Sequence, residues 1–368
     1  MNAPIPFAAV ATDNAADDAA VIIRQLDFPV FQNKAYPTQA AALQAVCGDV
    51  ELVQCPASGL VHNRKFNPDL LCYDSEYQNE QAWSPAFKKH LDEVLGITLR
   101  NFGSASFGVE IGCGKGYFFE QLCQAGANVM GCDPAYEGSN SRVLKRKFDR
   151  HTLRAAPDYL ILRHVLEHIP QPWEFLAALA AQCQPGTKVY IEVPCFDWIV
   201  SHHAFYDVFY EHVNYFTRDA LAGAFGLVVE AGDFFGGQYL YLVADLSSFR
   251  KPERYTGKWY SAVNLESYLT VLFKNRLQGR KTFIWGAGAK GMTFSNILAR
   301  HAIAVDGVID INPAKQGQYT GKSGVQIVAP ETALPQARGA DIFVMNPIYL
   351  DEIKTMVEGS GVNLISMA

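Results

Sequence analysis

The chain predicts an α/β protein built from two Rossmann-like units, and three observations carry that expectation. Residues 107–134 read as a short buried strand (Phe107 to Ile111), a glycine-rich turn, a helix (Tyr117 to Gln124, closed near Gly126) and a second strand ending at Asp133. Residues 281–311 repeat that order, with the strand Lys281–Trp285, the turn Gly286-Ala-Gly288-Ala-Lys290-Gly291, a helix and the strand 305–311 containing Asp310. Between and after them strand and helix patterns alternate: strand 158–165, helix 173–183, strand 187–193, then strands 227–231 and 239–246.

Size and composition narrow the class. At 368 residues the chain is long for one domain, and 49% apolar with 18% charged residues suits folded units with sizeable cores. A net charge of −6 disfavours a general nucleic-acid surface. No run approaches the roughly 18 apolar residues of a membrane helix. Met1 to Asp18 lacks a basic n-region and reads as a disordered tail rather than a secretory leader. Eight cysteines are scattered without a C-x-x-C pair, which suits a reducing cytoplasm.

In chain order, Phe28-Pro29-Val30-Phe31 and Cys55-Pro56-Ala57-Ser58-Gly59-Leu60-Val61 have the rhythm of two zinc knuckles. With Phe28, Phe31 and Ser58 at three of the four ligand positions, one thiolate cannot hold a structural zinc, so no metal is expected; chance phrasing is the alternative. Tyr73 to Phe87 is polar and aromatic-rich, either a lid containing Tyr77 or a surface loop. Ser84 then N-caps a helix with Pro85 at its first position and Phe87, Leu91, Val94 and Leu95 on one face. The basic run 141–154 is a solvated helix face or a patch for an anionic group. His164, at the end of a central strand, stands where doubly wound sheets bind ligands; His168 reads as an ordinary helix-start residue. The aromatic stretch 205–216 carries Tyr206, Tyr210, Glu211, His212, Asn214 and Tyr215, and Thr217 opens another helix. A helix over 260–277 marks a boundary, and strand 341–346, helix 348–358 and strand 362–366 finish the chain.

Two ligands compete for the first glycine turn. A dinucleotide fingerprint is G-x-G-x-x-G. The spacing here is Glu110-x-Gly112-x-Gly114-x-Gly116 followed by Asp133-Pro134. That spacing resembles the first motif of class I S-adenosylmethionine-dependent methyltransferases, and the two strands 227–231 and 239–246 match the antiparallel finish of that family's sheet. The resemblance implies that Glu110, Gly112, Gly114, Gly116, Asp133 and Pro134 meet the cofactor, the acid holding its ribose, with Tyr77 added from the lid. The second glycine turn fits nicotinamide binding or a scaffold that shapes the substrate pocket.

The order of knuckle region, class I core and Gly286–Gly291 domain with Val308-Ile309-Asp310-Ile311-Asn312-Pro313-Ala314-Lys315-Gln316-Gly317 is similar to the three-part C-methyltransferases of nucleotide-linked keto-deoxysugars. It implies a tail (1–18), an N-terminal substrate and lid region (19–98), a methyltransferase core (99–248) and a C-terminal Rossmann-like domain (249–368). It also implies His212 as general base, and the chain departs from the family in lacking three zinc cysteines. A carbon beside a ketone becomes nucleophilic only when deprotonated, which suits histidine. Tyr206 or Tyr215 would then face the enolate oxygen; Glu211 would orient His212, unless the pair is an exposed helix start. Tyr210 and Asn214 complete the expected substrate residues. The expected partner is a small-molecule acceptor, a nucleotide sugar being one candidate, with no nucleic acid and no membrane. An O- or N-methyltransferase of a small metabolite and a nicotinamide-dependent oxidoreductase are the alternatives.

Overall fold

The computed structural model describes residues 20–71, 84–149, 151, 153, 155–273 and 280–367. The tail 1–18, Tyr77 with most of the lid segment, and Arg150 and Arg154 of the basic run lie outside the described residues.

A seven-stranded sheet forms the centre, in the order Val228–Phe234, Tyr239–Asp245, Lys188–Pro194, Tyr159–Arg163, Gly108–Ile111, Val129–Cys132, Val143–Leu144. Tyr239–Asp245 runs antiparallel to both neighbours, and the pairs beyond it are parallel. This is the Rossmann-like sheet of a class I methyltransferase with its antiparallel finish. The parallel strands are buried on both faces, as their mostly apolar runs require, with Glu110 and Glu192 as buried exceptions. Helix Pro85–Phe102 starts as its sequence dictates, Ser84 Oγ accepting the N–H groups of Ala86 and Phe87.

The C-terminal unit is a second, all-parallel sheet in the order Ile327–Val328, Gly307–Ile309, Thr282–Trp285, Asp341–Val344, Asn363–Ser366. Its helix Ala289–Arg300 follows the glycine turn.

The N-terminal region is a four-stranded antiparallel sheet of Ile23–Pro29, Cys47–Gln54 and Val61–Asn63, completed by Asn214–Tyr215 from the aromatic stretch. Ala35–Tyr36 pairs with Tyr319–Thr320 of the C-terminal unit. The seven-stranded sheet lies wholly within 99–248 and the five-stranded sheet within 249–368, while Asn214–Tyr215 of the core joins the N-terminal sheet.

Several expectations change. The basic run contributes the short edge strand Val143–Leu144 rather than a helix, because Val143 is buried against the sheet while its basic neighbours stay outside. The helix expected from Tyr260 starts at Leu265. Upstream, the Tyr260 N–H donates to Gln54 Oε1, its hydroxyl bonds Asp197, and the Val263 N–H donates to Ile22 O. These tertiary bonds hold the backbone extended. The helix expected from Ile348 begins at Leu350, after a turn capped by Asn346.

The knuckle-like runs do not converge either. Phe28 pairs with Gly48, whereas Cys55 follows Gln54 at the far end of the same strand. About seven residues of strand, on the order of 20 Å, separate them. They are no remnant of one ligand set: Phe28 is core, and the Ser58 hydroxyl accepts the Leu60 N–H. Among the described residues no helix is long and apolar enough to cross a membrane.

Candidate active site

The first glycine turn leaves the C-terminal end of Gly108–Ile111. Gly112, Gly114 and Gly116 all have positive φ (75°, 53° and 87°), which explains three glycines in five residues. A Cβ on Gly112 would lie 2.6 Å from Val165 Cγ2, so the turn packs directly on the loop after Tyr159–Arg163. A Cβ on Gly114 would meet nothing within 4 Å. The turn thus presents bare backbone to open space, as a ligand lying against it requires.

Asp133 Oδ2 accepts the Gly114 N–H and Oδ1 the Ala135 N–H, both at 2.8 Å. The carboxylate braces the turn, and each oxygen keeps a second lone pair for hydroxyls. Pro134 is exposed beside it. Glu110 lies beneath the turn with Oε2 buried and unpartnered. Burial, opposed by the Arg163 charge, pushes its carboxyl up to about 7. Bare glycine backbone, a carboxylate at the end of the next strand and an orphaned buried acceptor together fit S-adenosylmethionine, which carries ribose hydroxyls and an α-ammonium group.

Under the crevice sits a charge network that sequence reasoning missed. Glu192, fully buried in Lys188–Pro194, accepts from Arg163 Nε (3.1 Å) and the Tyr190 hydroxyl (2.8 Å), and meets His90 Nε2 (2.8 Å) and His164 Nε2 (3.1 Å). Burial works against the Glu192 charge, but Arg163, His164 and His90 outweigh it and hold the carboxyl well below its usual range. The signal was one carboxylate inside an otherwise apolar strand.

His164, expected as a catalytic residue, belongs to this network. Its Nδ1 meets Glu167 Oε1 at 3.1 Å, so both ring nitrogens are engaged, and φ is +51°. Burial disfavours its charge, yet bonds to Glu167 and Glu192 raise it to about 9.

The aromatic stretch folds over the turn that follows His164. Asn214 Nδ2 donates to Leu166 O and Ile169 O, and His168 Nδ1 donates to Glu211 O at 2.9 Å. His212 is brought against this turn, its ring 4.9 Å from that of His168 and 4.4 Å from Phe209. Its Nδ1 is buried without a partner, and no hydrogen bond reaches either ring nitrogen among the described residues. Burial, then the charges of His168, His164 and Lys290, lower it well below the usual histidine range.

The other expected residues of this stretch are occupied. Tyr206 donates its hydroxyl to Met367 O, and the Tyr215 hydroxyl lies between Phe209 N and O, both at 2.9 Å. The Tyr210 hydroxyl accepts the Asn67 N–H and donates to Asn67 O, with its ring against Gly48. All three are buried, and Asn214 is spent on the bonds above. These four fix the stretch; none faces an open crevice. Glu211 Oε2 accepts the Gln32 N–H and so ties this stretch to the N-terminal region. His168 and Glu167, by contrast, stand with His212: one ligand-type atom from each lies within 4.8 Å of the others.

At the second glycine turn Asp310 accepts the Ala287 and Asn312 N–H groups, the same bracing that Asp133 gives the first, and buried Lys315 donates to Ala287 O at 2.8 Å. Lys290 points into the core, pairing with Asp207 at 2.8 Å and donating to Gln238 Oε1.

Comparison with known proteins agrees with this geometry. Residues 87–228 match a methyltransferase domain model, and residues 250–360 match a C-methyltransferase C-terminal domain model. The domain content is that of an S-adenosylmethionine-dependent methyltransferase. Among curated relatives, C-methyltransferase NovU of Streptomyces niveus is 26% identical over 219 residues, 53% of this chain and 51% of that one. A ubiquinone biosynthesis O-methyltransferase of Ralstonia nicotianae is 32% identical over 102 residues, 22% of this chain and 40% of that one. The chain thus spans about half or less of the length of the curated relatives it matches. Of solved structures, the N-methyltransferase NodS from Bradyrhizobium japonicum aligns over 46% of this chain and 99% of its own, at 17% identity and TM-score 0.31. A Burkholderia thailandensis 1,6-didemethyltoxoflavin-N1-methyltransferase aligns over 54% of this chain and 95% of its own, at 15% identity and TM-score 0.37.

Proposed function

We propose that the chain is a C-methyltransferase acting on the carbon beside a ketone, with a nucleotide-linked deoxysugar as acceptor and His212 as the base. The observation that carries the reading is His212: an imidazole with no hydrogen bond to either nitrogen among the described residues, on the segment that covers the turn abutting Gly112. Similarity to C-methyltransferase NovU and the match to a C-methyltransferase C-terminal domain support carbon over oxygen or nitrogen as the site of transfer.

Bound against Gly112, Gly114, Gly116 and Asp133, S-adenosylmethionine supplies an electrophilic methyl group on a sulfonium. The residues of the chain do the rest. His212 takes a proton from the carbon next to the ketone, leaving an enolate whose electron pair forms the new carbon–carbon bond. Phe209 packs against one side of the imidazole, its ring centroid 4.4 Å away. The bonds of Tyr206, Tyr210, Asn214 and Tyr215 hold the segment rigid, so that His212 keeps its place relative to the glycine turn.

His212→Asn keeps a polar side chain that reaches about as far as Nδ1 but removes the basic imidazole nitrogen. We expect it to lower methyl transfer by at least about 10²-fold while calorimetry shows S-adenosylmethionine binding unchanged. Transfer at the wild-type rate in that variant would remove His212 from the reaction.

A further inference from the structure

The geometry points to a transition-metal site formed by Glu167, His168 and His212, and we propose that a zinc-class divalent cation binds there and silences His212. The inference rests on the reading of His212 as base and adds a regulator of the same nitrogen.

Three acceptor groups face one another with nothing between them. Glu167 is fully buried; Oε1 meets His164 Nδ1, while Oε2 is buried without a partner. His168 donates Nδ1–H to Glu211 O, which leaves the Nε2 lone pair for another partner. His212 Nδ1 is buried and unpartnered. One ligand-type atom from each residue lies within 4.8 Å of the others, close enough for small side-chain rotations to place all three about 2.0–2.2 Å from one ion.

Converging lone pairs in a buried place cost free energy unless a proton or a cation sits among them. The supporting bonds are those a metal site needs: a backbone carbonyl fixes the tautomer of His168, and a histidine holds the far oxygen of Glu167. Two imidazoles and one carboxylate suit a borderline cation such as zinc better than magnesium, which prefers oxygen ligands. Three protein ligands leave a further position open at the ion. A cation there takes the lone pair of His212, so that cation and substrate proton compete for one residue.

The test uses the full-length protein and zinc alone. Calorimetric titration of metal-stripped protein is expected to show one zinc per chain, with affinity at least tenfold weaker in Glu167→Gln and in His168→Asn. Binding of S-adenosylmethionine by each variant verifies that it is folded. In D₂O, one equivalent of zinc is expected to abolish acceptor deuterium exchange by the wild type, and a chelator to restore it. Absence of stoichiometric zinc binding, wild-type affinity in both variants, or unchanged exchange by zinc-saturated protein would overturn the proposal. An acceptor that never exchanges, with or without zinc, would count against the base instead, and the binding result would stand.

Discussion

Glu110 keeps its proton to a pH where most carboxylates have lost theirs, because burial in the central strand outweighs the nearby Arg163 charge. The folded carboxyl titrates near 7 and the unfolded one near 4.5. Between those values the unfolded chain has released a proton that the folded chain retains, so this group's contribution to stability falls as pH rises. Relative to Glu110→Gln, the wild type is expected to lose about 2–3 kcal/mol between pH 5 and 8, read from urea midpoints at each pH. Gly114 gives a second residue-scale prediction. Gly114 and Gly126 both have positive φ, and a Cβ at either meets nothing within 4 Å. Alanine at either therefore adds similar backbone strain, about 1 kcal/mol. Only Gly114→Ala puts a methyl where the cofactor lies; its S-adenosylmethionine affinity is expected to drop at least tenfold in calorimetry, with that of Gly126→Ala unchanged.

At the scale of elements, the two glycine turns look alike in sequence and in bracing: Asp133 and Asp310 each accept two backbone N–H groups, and open space lies beside Gly114 and Gly286. The second differs in its cations, Lys315 donating to Ala287 O and Lys290 pairing with Asp207. Gly291 is held to glycine by close packing, since a Cβ there would sit 1.8 Å from Gly286 O. Gly291→Ala is expected to destabilise the protein by about 1–3 kcal/mol, seen as a lowered midpoint in thermal unfolding. The first turn was legible because local spacing dictates it: glycine positions and the acid ending the next strand are backbone requirements. The central strands and the capped helix at Ser84 were legible for the same reason. The N-terminal strands were not, because their short, mixed runs become strands only by pairing with one another and with Asn214–Tyr215. Nor did sequence distinguish the tyrosines that hold the aromatic stretch from residues that meet substrate. That depends on distant acceptors such as Met367 O and Asn67 O. His168 looked ordinary because its partner, Glu211 O, is brought to it only by the folding of the covering segment.

Across the whole molecule, the C-terminal unit is fastened to the core through a charge. Lys290 leaves the second glycine turn to pair with Asp207, a buried residue of the stretch that carries His212, and it also lies 5.3 Å over the Trp198 ring. Lys290→Met strands the Asp207 carboxylate and is expected to cost about 3–5 kcal/mol in chemical denaturation of the full chain; adding Asp207→Asn should recover most of it. Removal of one partner thus does more harm than removal of both. The arrangement ties the C-terminal unit to the stretch that carries the candidate base.

Carbon methylation through an enolate raised by His212 can be followed by mass spectrometry of a nucleotide-linked 4-keto-deoxysugar incubated with the metal-stripped protein in D₂O. Deuterium is expected at the carbon beside the ketone without S-adenosylmethionine, one added methyl on that carbon with it, and neither in His212→Asn. Methyl on oxygen or nitrogen, or transfer that persists without His212, would rule the enolate route out.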